Sequence, residues 1–316
     1  MNAMRKGLAT GALLAVTLFA VYFAGGLPSA ISTENSRVAT LGASVGAFEP
    51  EVERVALTSR DRARPAVGEL GKWDAVPVAA GEATALLEQL VMAERAVRDP
   101  LVTGKELAYM GHLQQLVYFR LIECADLRDP VFNGIPSDLR KAADLNIAAL
   151  ANLWLWDSTY VTEFPAWRIV SAPALHDLMT YYREAEAEFG VPWYYLAAIN
   201  LVETRMGRIR GDSYAGAQGP MQFMPATWDA YGHGDINDAR DAIHAAGRYL
   251  RATGAPDRME RAIWWYNHDD EYVDAVMKYG EVMRDDPRAF RGFYGWQVYY
   301  VMANGTVLLP EGWAKN

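Results

Sequence analysis

The feature that most constrains this chain is an apolar run at residues 191–202 that ends at Glu203. The run is apolar on nearly every side, so it predicts a buried helix rather than an amphipathic surface helix. A carboxylate at the tip of such a helix loses water on several sides, and this desolvation raises its pKa. A protonated glutamate that faces a cleft is the general acid that cleavage of a glycosidic bond needs. The alternative is a structural ion pair between Glu203 and Arg205 or Arg208.

A glycine-rich segment follows Glu203 directly. Its glycines permit positive φ angles and close backbone approach, so the segment predicts a folded loop rather than another helix. The glycines are Gly207, Gly211, Gly216 and Gly219. Further along the same loop, Gln222 has a side-chain amide that can form a hydrogen bond with an N-acetyl group.

Three short motifs resemble those of a known family. In chain order they are Glu203-Thr204, Gly219-Pro220-Met221-Gln222 and Tyr266-Asn267. Their order and approximate spacing resemble the soluble lytic transglycosylase (SLT) domain, which shares a lysozyme-like fold with goose-type lysozyme. The resemblance covers about residues 173–284, which is under half of the chain.

The resemblance implies a lysozyme-like α (α+β) catalytic domain and a reaction. Such a domain cleaves the β-1,4 bond between N-acetylmuramic acid (MurNAc) and N-acetylglucosamine (GlcNAc) in peptidoglycan strands, and it leaves 1,6-anhydro-MurNAc ends without a cofactor. One glutamate, Glu203, serves as both acid and base, and the hydroxyl of Tyr266 orients it. The implied substrate-binding residues are Thr204, Met221, Gln222, Tyr266 and Asn267.

The chain departs from the family pattern at three places. Thr204 stands where serine is usual, which keeps the hydroxyl, and Pro220 stands where leucine is commoner. The third motif usually reads Ala-Tyr-Asn-Ala-Gly, whereas this chain has Trp-Tyr-Asn-His-Asp at residues 265–269. The last change alters the floor of the implied sugar site.

Two other functions remain open. Hydrolytic glycosidases normally use two carboxylates, so a muramidase that uses water is one alternative, with Asp212 or Asp269 as the second acid. The Gly-Asp-Ser sequence around Asp212 is also typical of an ordinary turn. The other alternative is a non-catalytic cell-wall-binding protein, which the altered third motif suggests and which the intact Glu203 and Gln222 disfavour.

Composition narrows the class of protein. The 316 residues are 51% hydrophobic, which is enough for a substantial core. The net charge of −9 and the pI near 5.1 disfavour binding to nucleic acid. The five histidines show no ligand spacing, so no metal site is predicted. Cys124 is the only cysteine, and we expect it to pack as a small apolar residue.

The amino terminus predicts export. Arg5 and Lys6 precede an uncharged, apolar stretch at residues 7–30, which is typical of a signal peptide or a retained anchor in the cytoplasmic membrane. The positive charges place the rest of the chain outside that membrane, in the cell envelope. Residues 31–80 are rich in small and polar residues and predict a flexible linker.

The remaining sequence predicts a mainly α fold. Residues 81–172 have helical periodicity and form an accessory region whose role the sequence does not indicate, and residues 173–316 form the catalytic domain with a C-terminal extension. Asn304-Gly305 lies between two runs rich in β-branched and aromatic residues, which predicts a short C-terminal β-hairpin.

Overall fold

A computed structural model describes residues 72–154, 162–302 and 305–315. The described residues are mainly helical and include two small antiparallel hairpins, which confirms the predicted mainly α fold. The predicted signal or anchor segment, at residues 1–30, and most of the predicted linker lie outside the described residues. In the described part of the chain, no helix combines the length and the apolar character that crossing a membrane requires.

Most of the helices are joined by short connections. They are α1 (Ala83–Arg98), α2 (Gly104–Glu123), α3 (Ala125–Gly134), α4 (Ser137–Trp154), α5 (Leu175–Phe189), α6 (Trp193–Thr204), α7 (Pro225–Tyr231), α8 (Ala239–Thr253), α9 (Met259–Tyr266), α10 (Asp270–Asp285) and α11 (Phe290–Gly295).

Hydrophobic periodicity underlies most of the long helices, and a side-chain cap is added at α8 and α10. The side chain of Asp238 accepts a hydrogen bond from the Asp241 N–H at 3.0 Å and so caps α8. Three helices give no clear periodic pattern in the sequence. The α3 helix contains Pro130, and α7 and α11 have only 7 and 6 residues, too few to show a periodic pattern.

The strands form two antiparallel pairs. The first joins β1 (Arg168–Ile169) to β2 (Ile209–Arg210). The second joins β3 (Val298–Met302) to β4 (Gly305–Leu309), with Met302 opposite Gly305, which confirms the predicted C-terminal hairpin. Trp167, which precedes β1, and buried side chains of both pairs form a second, small core. The strand residues are Ile169, Ile209, Val298, Tyr300 and Leu309.

The main hydrophobic core includes side chains from the predicted accessory region and from the segment that follows it. Helix α4 packs on α10, and α2 packs on α11. At the second crossing the backbones are in direct contact: a Cβ on Gly111 would lie 2.6 Å from the Gly292 carbonyl oxygen and 2.7 Å from the Gly295 Cα. Only glycine fits there. The proposed division near residue 172 stays a prediction about domain organisation.

A buried polar network reinforces this packing. The Glu94 carboxylate is fully buried; it forms an ion pair with Arg98 and accepts hydrogen bonds from the Tyr118 hydroxyl and, at 2.9 Å, from the Gln114 amide. The Gln114 Oε1 accepts a hydrogen bond from the Trp296 indole at 3.0 Å. The network thus connects α1 and α2 to the residue that follows α11.

Candidate active site

Glu203 lies in the last turn of α6 and is 1% exposed. The helix is buried on nearly all of its length, as its apolar sequence predicts, and it packs between α5 and α10. The site is therefore built on a helix whose position the core fixes.

The chain turns sharply after Glu203. Arg205 and Met206 both have positive φ angles, 52° and 61°, which are unfavourable for residues with a Cβ and cost about 1–2 kcal/mol each. The Arg205 N–H donates to Leu201 O at 3.2 Å and the Met206 N–H donates to Asn200 O at 3.1 Å. These bonds satisfy two backbone carbonyl groups in the last turns of the helix. Backbone strain of this kind is common at functional sites.

The two carboxyl oxygens of Glu203 have different surroundings. Oε1 accepts a hydrogen bond from the Tyr272 hydroxyl at 2.6 Å, whereas the buried Oε2 has no hydrogen-bond partner among the described residues. Burial raises the pKa of Glu203 well above its usual range, and the smaller effect of the Tyr272 hydrogen bond lowers it. The site therefore favours the neutral acid.

The ion-pair alternative for Glu203 is wrong. The Arg205 guanidinium donates to Leu201 O at 2.6 Å, and the Arg208 guanidinium donates to Tyr294 O at 2.9 Å. Neither arginine forms an ion pair with Glu203 in the described part of the chain.

The partner of Glu203 was also assigned to the wrong tyrosine. The Tyr266 hydroxyl donates to Met221 O at 2.6 Å rather than to Glu203. Tyr266 is still close: burial first, and then its electrostatic interaction with Glu203, raise the pKa of Tyr266. The sequence does carry one indirect signal for Tyr272, because Asp269 caps α10 by accepting from the Tyr272 N–H at 2.6 Å and so places Tyr272 in the first turn.

Thr204 connects the motif at residues 219–222 to the end of α6 through hydrogen bonds. Its hydroxyl donates to Pro220 O at 2.5 Å and accepts from the Gly207 N–H at 3.0 Å. Asn200 donates to the same Pro220 oxygen at 3.1 Å and to the Met221 sulfur at 3.0 Å. Thr204 and Met221 are fully buried and hold the loop in place, so the hydroxyl that the resemblance assigns to sugar binding is already used within the protein.

Gln222 is held in an unusual backbone conformation within this loop. Its φ is 51°, and its Nε2 donates to Gly219 O at 2.9 Å. Gly219 cannot carry a side chain, since a Cβ would lie 1.9 Å from Ile236 O. The Gln222 Oε1 accepts no hydrogen bond from the residues that the structure describes, which leaves it able to accept one from a ligand.

The other polar residues considered from the sequence differ in burial and in hydrogen bonding. Asn267 is 4% exposed, and its Oδ1 is buried with no partner in the described structure. Asp269 is used as the cap of α10, and burial raises its pKa. Asp212 is exposed and accepts a hydrogen bond from Gln218 at 3.3 Å, as expected for a turn residue. Within the described ranges, no group of His, Cys, Asp and Glu could hold a metal ion.

Comparison with known proteins gives one distant relative. The chain is 27% identical over 150 residues to the membrane-bound lytic murein transglycosylase F of Thiobacillus denitrificans. The match covers 45% of this chain and 32% of the relative, so it spans about a third of the relative's length. No protein-family model matches the chain, and no solved structure matches it.

Proposed function

We propose that this chain is a lytic transglycosylase that cleaves the β-1,4 bond between MurNAc and GlcNAc in peptidoglycan. The observation that carries the proposal is the state of Glu203: a buried carboxyl, favoured in its neutral form, with one oxygen held by Tyr272 and the other unpaired. The three motifs and the name of the distant relative support peptidoglycan as the substrate.

In the first step, neutral Glu203 donates its proton to the glycosidic oxygen. The bond between that oxygen and C1 of MurNAc breaks, and GlcNAc leaves with a free hydroxyl. The acetamido oxygen of MurNAc stabilises the positive charge that develops at C1. Tyr272 stabilises the carboxylate that Glu203 becomes, because a hydrogen bond to an ionised acceptor is stronger than one to a neutral acceptor.

In the second step, the 6-hydroxyl of the same MurNAc attacks C1 and gives its proton to the Glu203 carboxylate. The ring closure produces the 1,6-anhydro end and restores the neutral acid. No water is consumed. The attack is intramolecular, so it needs no second reactant to be ordered.

Gln222 and Asn267 are the groups proposed to position the sugar. The Gln222 Oε1 can accept a hydrogen bond from the N–H of an acetamido group. The Asn267 Oδ1 lacks a partner in the described structure and can accept one from a sugar hydroxyl. Unsatisfied buried acceptors are costly, and a bound ligand would satisfy them.

The burial of Glu203 has a consequence for substrate entry. With 1% of the residue exposed, a glycosidic oxygen reaches Oε2 only if the atoms that cover it move when the glycan binds. Exclusion of water from this buried position strengthens the electrostatic interactions of the acid with a bound substrate. We place this reaction in the cell envelope, with residues 1–30 as the export or anchoring segment.

The decisive experiment is a digest of purified peptidoglycan followed by mass spectrometry. The proposal expects muropeptides lighter by one water and no new reducing ends. Reducing MurNAc ends would assign the chain to the hydrolytic muramidases instead. Failure to release sugar from several types of cell wall would favour a binding protein.

A further inference from the structure

Helix α9 ends in the Tyr266-Asn267 motif and also carries two neighbouring exposed tryptophans. Trp264 is 37% exposed and Trp265 is 40% exposed. Of the tryptophans whose burial the structure describes, only these two are exposed. Because large apolar side chains are stabilised by removal from water, an adjacent exposed pair indicates a surface that another molecule covers.

The two indole rings and His268 form one ordered cluster, which we name the aromatic platform. The ring centroids of Trp264 and Trp265 are 5.3 Å apart with an interplanar angle of 80°. The His268 ring lies 4.4 Å from Trp264 and 5.4 Å from Trp265. The backbone beneath is fixed by the Tyr249 hydroxyl, which donates to Trp265 O at 2.6 Å. The platform is thus organised before any ligand binds.

The geometry points to the aromatic platform as a saccharide-binding surface that holds the glycan strand beyond the Glu203 pocket, an inference that rests on the proposed function. A pyranose ring presents C–H groups on one face, and these carry a slight positive charge. The face of an aromatic ring is negative, so sugar and indole attract each other while both lose contact with water.

The position of the platform on α9 supports this occupant. Trp265 directly precedes Tyr266-Asn267 and His268 directly follows it. In the same motif, the Tyr266 hydroxyl donates to Met221 O at 2.6 Å, and the Met221 sulfur accepts from Asn200 on the helix that carries Glu203. A glycan strand is longer than the disaccharide at the cleaved bond, so it needs further contacts on the elements that form the site.

Charge distinguishes the saccharide from a membrane surface. Tryptophan is also common at membrane interfaces, where bacterial lipids are often anionic. However, three acidic residues, Asp269, Asp270 and Glu271, follow the platform directly, and the whole chain has a net charge of −9. These charges repel an anionic lipid surface and leave the attraction for a neutral sugar face unaffected.

The test measures binding in the full chain with Glu203→Gln as the background, so that cleavage does not interfere. We expect the double variant Trp264→Ala, Trp265→Ala to bind purified peptidoglycan and the GlcNAc tetramer about tenfold more weakly. Trp264→Phe, Trp265→Phe keeps two aromatic rings and should stay within about threefold of the background. Leu101→Ala removes an apolar residue that is 83% exposed in the N-terminal helical region and should not change binding.

Each remaining outcome counts against one assignment only. Unchanged glycan binding by the Ala double variant, or an equal loss with Leu101→Ala, overturns the platform and leaves the cleavage assay to decide the enzyme. If the same variant instead loses binding to vesicles of phosphatidylcholine and phosphatidylglycerol, with glycan binding intact, the platform is a membrane contact. Platform-dependent glycan binding by a chain that never cleaves peptidoglycan refutes the proposed function and keeps the platform.

Discussion

Two buried glutamates lie in different regions of this protein, and their surroundings are opposite. Glu94, in α1, is fully buried but compensated: Arg98 pairs with it, and Gln114 and Tyr118 donate hydrogen bonds to it. Glu203, in α6, is equally buried but has one hydrogen bond from a neutral hydroxyl and one oxygen without a partner in the described structure.

The difference separates a structural carboxylate from a candidate reactive one. A buried charge with a paired cation and full hydrogen bonding contributes to a unique packing arrangement, and its removal leaves the partner uncompensated. A buried carboxyl with no cation is held neutral and keeps a proton that it can give to a substrate. Burial alone does not distinguish the two; the partners do.

The largest effect is expected for Glu203→Gln. Loss of a general acid lowers the rate of peptidoglycan cleavage by about 10² to 10⁴, and here the same group acts twice. Glutamine keeps the shape and the acceptor for Tyr272, so the fold should survive, as circular dichroism would show. Turbidity clearance of cell-wall suspensions measures the rate, with Glu88→Gln on the exposed side of α1 as the control. Equal clearance by mutant and wild type would refute the assignment.

Glu94→Gln should show the converse pattern. Removing one member of a buried ion pair costs about 3–5 kcal/mol of unfolding free energy. Arg98 keeps its second ion pair, with Asp286 at 3.0 Å, so the loss for Glu94→Gln should lie toward the lower end of that range. Urea denaturation measures this, and Glu88→Gln, an exposed residue on the same helix, should change stability by less than about 0.5 kcal/mol. If Glu94→Gln instead abolished cleavage with stability unchanged, the contrast between the two glutamates would fail.

Tyr272→Phe tests the single partner of Glu203. A hydrogen bond to an ionised group contributes about 1.5–3 kcal/mol, so the rate should fall about tenfold or more. That hydrogen bond lowers the pKa of Glu203, so its loss raises this pKa. Because the acid must be protonated to act, the alkaline limb of the pH–rate profile should move to higher pH.

Tyr266→Phe provides the matched comparison, since its hydroxyl is bonded to Met221 O. The alkaline limb of the pH–rate profile of Tyr266→Phe should not move to higher pH. An upward shift with Tyr266→Phe and none with Tyr272→Phe would restore the assignment made from the sequence.

The smallest effect is expected for Gln222→Ala. Loss of one hydrogen bond between uncharged groups costs about 0.5–1.5 kcal/mol, which corresponds to a several-fold to tenfold lower kcat/KM. Steady-state kinetics on a soluble glycan substrate would measure it. A loss as complete as that of Glu203→Gln would indicate that Gln222 takes part in the chemistry itself.

Local patterns in the sequence were sufficient to predict much of the fold. The apolar run before Glu203 and the β-hairpin before the C-terminus both depend on neighbouring residues, and the structure confirms the buried helix and the hairpin. The pairing of Glu203 with Tyr272 was missed, because the two residues are 69 positions apart and meet only when α10 packs on α6. The roles of the motif residues in binding stay predictions.

The connection between α2 and the end of α11 has a consequence for the order of folding. Gln114 bonds to Trp296, and the side chain of Gln115 bonds to the backbone N–H and carbonyl of Gln297, across 182 residues of sequence in each case. Contacts this distant in sequence carry a large loop-closure entropy and slow folding. During synthesis, helices α1 to α4 emerge well before Trp296 exists. The core around Glu94 therefore closes only after nearly the whole chain has been made.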